Sequence, residues 1–353
     1  MKESDIASII GQELDSNITT ILQNRLSLLS EWRILVKDNF EHLNYVLDKL
    51  DERLITSDHW LFITYDELDR LLTTYNALAN PIRELLAFWL ERSRRWERIR
   101  PKIFLRTDLF REEFLGFPDA SKLQSHRLEW RPSWLYQLWI KRLANSAQEM
   151  RDYLQIIPNL IYESSTQLGW NVRSDEQLFQ ELIEIMIGKY MGASPKKGIT
   201  YRWIPNHLQD TGGRIAPRSF LKLFDLAAAK RLERFEQLTE LYLLQPSDLQ
   251  SALMDTSEDR IKELAQEEYS WLESLKTNLE GLEAPILKET FLEAVRSTKW
   301  EKLPPVTEPE GIMQYLIQLG VVESRLDGRI NIPEIYLYGF QVKRSGGVKR
   351  PKS

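Results

Sequence analysis

The sequence has no cysteine in its 353 residues. Disulfides and thiolate metal sites are therefore excluded, and the composition is compatible with a reducing, cytoplasmic setting. Histidine is scarce: His42, His59, His126 and His207 lie far apart, with no HxxxH-type spacing that would build a zinc site. Charges interrupt every apolar stretch well short of the ~20 residues a membrane helix needs, so no membrane partner is expected. The opening residues, Met1 to Asp5, are too charged for a signal peptide. The net charge of −5 gives no global pull toward nucleic acid. One further absence matters for function. No GxxxxGK[ST] phosphate-binding loop occurs anywhere in the chain.

Glycine and proline are also missing between Gly11 and Pro81. Nothing there breaks a helical pattern. Ile18, Leu22, Leu29, Trp32, Val36, Phe40, Leu43, Leu47, Leu50 and Leu54 recur in steps of three and four, which predicts helix over 5–55 with one apolar face. That face either packs in a core or binds a protein partner or a second copy.

The pattern then changes. Trp60 to Tyr65 form an apolar run that closes on Asp66, Glu67, Leu68 and Asp69. A short apolar run ending in carboxylates predicts a buried parallel strand with a functional C-terminal tip. A helix is expected from Glu67 to about Leu78, and a second from Pro81 to Ile99 with Asn80 as its cap. The outer face of the second would carry Arg92, Arg94, Arg95 and Arg98. Another apolar strand is expected at Lys102–Arg106, followed by Thr107 and Asp108. Two such strands joined by a helix predict a parallel pair whose tips share one crevice. Arg106 and Thr107 would then sit beside Asp66 and Glu67. Arg106 would either clamp a phosphoryl group or pair with Asp66 or Asp108.

Downstream the pattern is helical. Ser133 is placed as the cap of a helix reaching Leu154, and a further helix covers 175–190. The stretch 191–217 is the most loop-like, and its glycines are expected at turns. Pro217 opens a helix over about 218–238. Arg218 stands at its start, where the helix dipole disfavours a cation, so either an anion or solvent lies in front of it. Pro246 starts a short helix, and Ser257 is placed as the cap of a longer one ending near Glu280. The last unit reads as helix 285–298, helix 311–319 closed by Gly320, and a hairpin turning at Asp327 and Gly328. The helix 311–319 offers Gln314 and Gln318 to a DNA groove but no Arg or Lys, which favours a protein contact over base readout. The segment 343–353 holds five positive charges and could touch phosphates.

Taken together, these motifs resemble the C-terminal portion of a bacterial P-loop ATPase of the AAA+/STAND type. The resemblance covers about 55–353 and rests on Asp66–Asp69, the Ile103–Asp108 strand, the helix opening at Pro217 and the C-terminal helix–hairpin unit. It implies a mainly α chain with a small parallel β part. The implied domains are a helical N-terminal segment (1–56), a partial α/β ATPase core (57–130), a helical lid (131–282), a winged-helix-like domain (283–342) and a basic tail (343–353). By the same resemblance, Asp66 is the metal ligand for Mg²⁺ and Glu67 the catalytic carboxylate. Arg106 and Thr107 fall at a sensor position, and Arg218 matches a lid arginine that contacts ATP. Arg94, Arg95 or Arg98 could reach a neighbouring subunit as an arginine finger. Family members act in signalling or antiviral defence.

The missing loop is the departure. Without its backbone N–H cradle and lysine, the β- and γ-phosphates lose their main holders. ATP and Mg²⁺ are therefore expected only where a partner or an upstream segment supplies the loop. The alternative is a non-catalytic interaction protein.

Overall fold

The computed structural model describes residues 37–68, 75–105, 128–163, 168–234, 242–267 and 269–345, with no side chains described for 75–79 or 267. The chain divides into two compact units, Met1–Arg127 and Leu128–Ser353. It is mainly helical, with small sheets of two strands each. No helix among the described residues is long and apolar enough to cross a membrane.

The first unit is built from α1 (Phe40–Thr56), β1 (Leu61–Tyr65), α2 (Tyr75–Arg95) and β2 (Ile99–Ile103). The part of the predicted N-terminal helix before residue 37 lies outside the described residues. Within α1 the three-and-four spacing turns Val46, Leu50 and Leu54 inward. Leu50 and Leu54 meet Trp89, Trp96 and Ile99 in a small core. The predicted restart at Asn80 does not occur: Pro81 lies inside the continuous helix α2. Nor is Arg92 on the outer face. It is buried, its guanidinium resting on the rings of Phe40, Phe88 and Trp96 at 5.3–5.9 Å.

The strands β1 and β2 pair in parallel, with Leu61 opposite Ile99 and Tyr65 opposite Ile103. The second strand begins three residues earlier than expected and includes Pro101, which a strand at a sheet edge tolerates. Nor is β1 fully buried. It alternates, with Leu61, Ile63 and Tyr65 partly covered and Phe62 and Thr64 exposed.

Two aspartates one turn apart on α1 fix the start of β2. Asp51 is buried and accepts from the backbone N–H groups of Glu97, Arg98 and Ile99 at 2.7–3.1 Å. Asp48 accepts from the Arg95 guanidinium at 2.7 Å and from Trp96 Nε1 at 2.9 Å. The bond to Arg95 holds the Asp48 carboxyl below its ordinary range, against an opposing desolvation effect. A depressed carboxylate stabilises the fold above its unfolded pKa of about 3.9, and that contribution is lost as pH falls through the folded value. The melting temperature of Asp48→Asn should therefore lie below wild type at pH 6, and the gap should narrow as acidification protonates the Asp48 carboxyl of the folded protein. The effect is modest, because Asp48 is one-third exposed.

The second unit starts with α3 (Pro132–Ala144) and α4 (Gln148–Leu154), joined by a short turn where one helix was expected. Arg131, not Ser133, is the N-cap, and Pro132 takes the first helical position. A short antiparallel pair follows, β3 (Ile161–Glu163) with β4 (Trp170–Val172), then α5 (Glu176–Met186), which Asp175 caps through Gln177 N. The stretch taken for a loop contains α6 (Thr200–Leu208), which buries Tyr201, Trp203 and Ile204. Its flanking Gly192, Gly198 and Gly213 do adopt positive φ, as turns require. The helices α7 (Pro217–Glu233) and α8 (Pro246–Glu267) pack along each other. Tyr136 on α3 donates to the Tyr201 carbonyl at 2.7 Å, and Trp139 stacks on Phe224 of α7 at 3.9 Å. These contacts lock α3, α6 and α7 into the main core.

The chain continues through α9 (Leu272–Leu279), β5 (Glu283–Ala284), α10 (Lys288–Arg296) and α11 (Pro309–Leu319). It ends with the hairpin β6 (Glu323–Ser324) and β7 (Ile330–Asn331), α12 (Glu334–Leu337) and β8 (Lys343–Arg344). Gly320 closes α11 in the left-handed conformation, φ 80°, as expected of a glycine stop. Ser257 is no cap. It lies buried inside α8, and its Oγ accepts from Gly339 N at 2.9 Å. The basic segment is no simple tail at its start: β8 pairs in parallel with β5, and Arg344 is largely buried. Its guanidinium donates to Asn331 Oδ1 and to the Ile332 carbonyl. Residues 346–353, with the remaining cations, lie outside the described residues.

Candidate functional site

The C-terminal edge of the β1–β2 pair carries the candidate carboxylates. The backbone bond from Phe104 N to Tyr65 O, 2.9 Å, holds the last β1 residue and carries the pairing one residue past the end of β2. Asp66 follows at once, so its position is fixed by the ladder. Its Oδ1 accepts from Glu67 N at 2.8 Å. Glu67 adopts φ 55°, a left-handed conformation uncommon for a residue with a side chain. The chain thus turns sharply at the strand tip rather than entering the expected helix at Glu67. Leu68, just beyond, is buried. Both carboxylates are exposed.

The other predicted site residues divide between what is described and what is not. Arg106 and Thr107, with Asp108, lie outside the described residues. Arg218 is the second residue of α7 and belongs to the second unit, whereas Asp66 and Glu67 belong to the first. Its Nη1 lies 3.7 Å from Glu263 Oε1 of α8, and its side chain is mostly exposed. Glu263 supplies the negative charge that offsets a cation at a helix start. Of the three described residues, Asp66 and Glu67 are adjacent at the tip of β1 in the first unit, and Arg218 opens α7 in the second.

The candidate arginine fingers are placed unequally. Arg95 is held by Asp48, and Arg98 by Asp58 at 3.0 Å, its guanidinium lying 4.8 Å over the Trp60 ring. Arg94 is exposed. Among the described residues no cluster of three or more His, Cys, Asp or Glu side chains could hold a metal ion. The Asp66 expectation does not need one, because a magnesium–nucleotide complex brings phosphate oxygens and water as most of its ligands.

Asp48 and Asp51 were missed by sequence reasoning. The available signal was two acids three residues apart beside the apolar stripe of Leu47, Leu50 and Leu54, a place where acids are rarely left without a partner.

The chain matches no protein-family model, no curated protein and no solved structure.

Proposed function

We propose that the chain is part of an ATPase module, with Asp66 placing Mg²⁺ and Glu67 polarising the attacking water. A P-loop-bearing segment or partner would hold the nucleotide's phosphates. The observation that supports this reading is the parallel β1–β2 pair with adjacent carboxylates at its C-terminal edge. Ligands of α/β sheets bind at that edge, and magnesium–nucleotide chemistry needs one carboxylate for the metal and one group to orient water. In this reading Arg106, Thr107 and Arg218 would contact the phosphates, and α3 to α9 would form the lid.

The test is nucleotide binding by the chain together with a segment carrying GxxxxGK[ST]; the coding sequence directly upstream of Met1 is the first place to seek it. A fluorescent ATP analogue should bind with Mg²⁺, and Asp66→Asn should weaken the Mg²⁺-dependent part at least tenfold, the order expected for losing one charged metal ligand. Equal Mg²⁺ dependence in Asp66→Asn would reject the assignment.

A second reading, a non-catalytic interaction protein, is favoured by the C-terminal unit. Its order is helix, strand, two helices and hairpin, and Ile286, just after β5, pairs with Ile330 of the hairpin. That order is compatible with a winged-helix domain. The exposed face of α11 shows Glu310, Gln314 and Gln318 and no cation, which suits a protein surface better than a DNA groove. In this reading binding and activity would be indifferent to Asp66 and Glu67.

A further inference from the structure

Three charged side chains of the second unit meet where α6, α12 and β8 come together. His207 lies on α6, Glu334 opens α12 and Arg344 ends β8. His207 Nε2 is 3.3 Å from Glu334 Oε2, and Arg344 Nε is 3.8 Å from Glu334 Oε1. None of the three side chains is more than one-fifth exposed (18%, 20% and 16%), so solvent screens their charges poorly. The His207 ring stacks on Trp203, with centroids 4.1 Å apart, and its Nδ1 is 2.7 Å from the Trp203 carbonyl oxygen. Each ring nitrogen therefore faces an oxygen acceptor. A neutral imidazole has one N–H, so in either tautomer a lone pair would oppose the carbonyl or the carboxylate. The imidazolium carries a donor for each.

From this geometry we infer a pH-sensitive latch: protonated His207 on α6 holds Glu334 and, through it, the buried Arg344, so that α12 and β8 are fastened at low pH and loosened as the ring gives up its proton. The surrounding groups do not substitute for that proton. Arg344 Nη1 donates to Asn331 Oδ1 at 2.7 Å, and Asn331 Nδ2 donates to Glu323 Oε1 at 2.6 Å. Arg325 and Tyr338 also face Arg344. Arg325 lies 3.8 Å from Asp327, and burial pushes the Tyr338 hydroxyl above its ordinary value, so it stays uncharged near neutrality. Four helices pack on α6. Besides α12, α5 turns Glu176 toward Tyr201, and α8 turns Arg260 toward Tyr336, which Asp210 and Arg214 also face. The cations Arg218, Lys222 and Lys230 of α7 are met by Glu263, Asp259 and Asp255 of α8. Of the side-chain types named, histidine is the one whose charge ordinarily changes between about pH 5 and 8. A site that favours the protonated ring contributes stability that is present below the ordinary imidazole value of about 6.5 and is lost as pH rises through the folded-state value.

Histidine-selective isotope labelling of the full chain follows the ring directly by NMR, since the sequence holds four histidines. The His207 signal is the one absent from His207→Gln. Its titration midpoint in the wild-type chain should lie above about 6.5. Glu334→Gln removes the facing charge and should weaken proton binding about tenfold or more. A midpoint at or below about 6.5, or one unmoved in Glu334→Gln, would overturn the latch. Hydrogen exchange, corrected for the intrinsic effect of pH on amide exchange, reads the consequence. Protection of 334–345 should fall about tenfold between about pH 6 and pH 8 in the wild-type chain, while protection of 135–144 in α3 should hold. The fall at 334–345 should vanish in His207→Gln. No fall in wild type, the same fall in His207→Gln, or an equal fall in α3, which would mean general loosening, would each overturn the inference.

Discussion

Asp51→Ala should unfold the first unit. Its carboxylate receives three consecutive backbone donors, from Glu97, Arg98 and Ile99, and the last of these residues is fully buried. Alanine offers no acceptor. A buried donor left unpaired costs about 1–3 kcal/mol; Ile99 N is buried and the donors of Glu97 and Arg98 are partly buried, so the loss is on the order of 2–4 kcal/mol. Among the described residues the core it supports is small: Leu50, Leu54, Trp89, Trp96 and Ile99. A loss of that size is comparable with the whole stability of such a unit. Hydrogen exchange should show the amides of 97–103 fully exchanging in Asp51→Ala and partly protected in Asp51→Asn, which keeps one acceptor oxygen. Protection unchanged in the alanine variant would mean that the carboxylate is not the anchor of β2.

Gly339→Ala should destabilise the second unit by about 3 kcal/mol, the upper part of the range for overpacking a filled core. A Cβ added there would lie 2.5 Å from Ile261 Cγ1 and 2.6 Å from the Ser257 carbonyl oxygen. The first neighbour is a side chain and can shift. The second is helix backbone in α8 and cannot. The same close approach lets Gly339 N reach Ser257 Oγ, so separating the two segments also breaks a buried hydrogen bond. Urea unfolding should show a lower midpoint with an unchanged slope. Ser257→Ala, which removes only the hydroxyl, should cost less, about 1 kcal/mol.

Much of this architecture was legible in the sequence, for local reasons. The run Trp60–Tyr65 is apolar and stops at two acids, so β1 and its polar tip are readable from neighbours alone, though its alternating burial is not. Gly320 and the Asp327–Gly328 turn announce themselves in the same way, because only certain residues accept those backbone angles. What was misread depends on distant partners. Ser257 has the chemistry of a helix cap, yet its hydroxyl serves Gly339, 82 residues away. Pro81 and Pro205 look like breakers, yet each lies inside a helix. For α6, buried Trp203 and Ile204 show that tertiary packing outweighs propensity. The start of β2 is not legible locally, because Asp51 on another element sets it. Of the candidate site, the adjacency of Asp66 and Glu67 follows from sequence. The sharp turn that Glu67 makes does not, since left-handed backbone at a glutamate has no local signature.

The role proposed for Glu67 is to orient water toward a magnesium-bound triphosphate held beside β1. Its most direct test is single-turnover ATP hydrolysis by the chain joined with a GxxxxGK[ST] segment, comparing wild type with Glu67→Gln. A group that orients and polarises the nucleophile contributes typically about 10²–10⁴ in rate, so the variant should hydrolyse at least about a hundredfold more slowly while still binding Mg·ATP. Hydrolysis at the wild-type rate by Glu67→Gln would contradict the account.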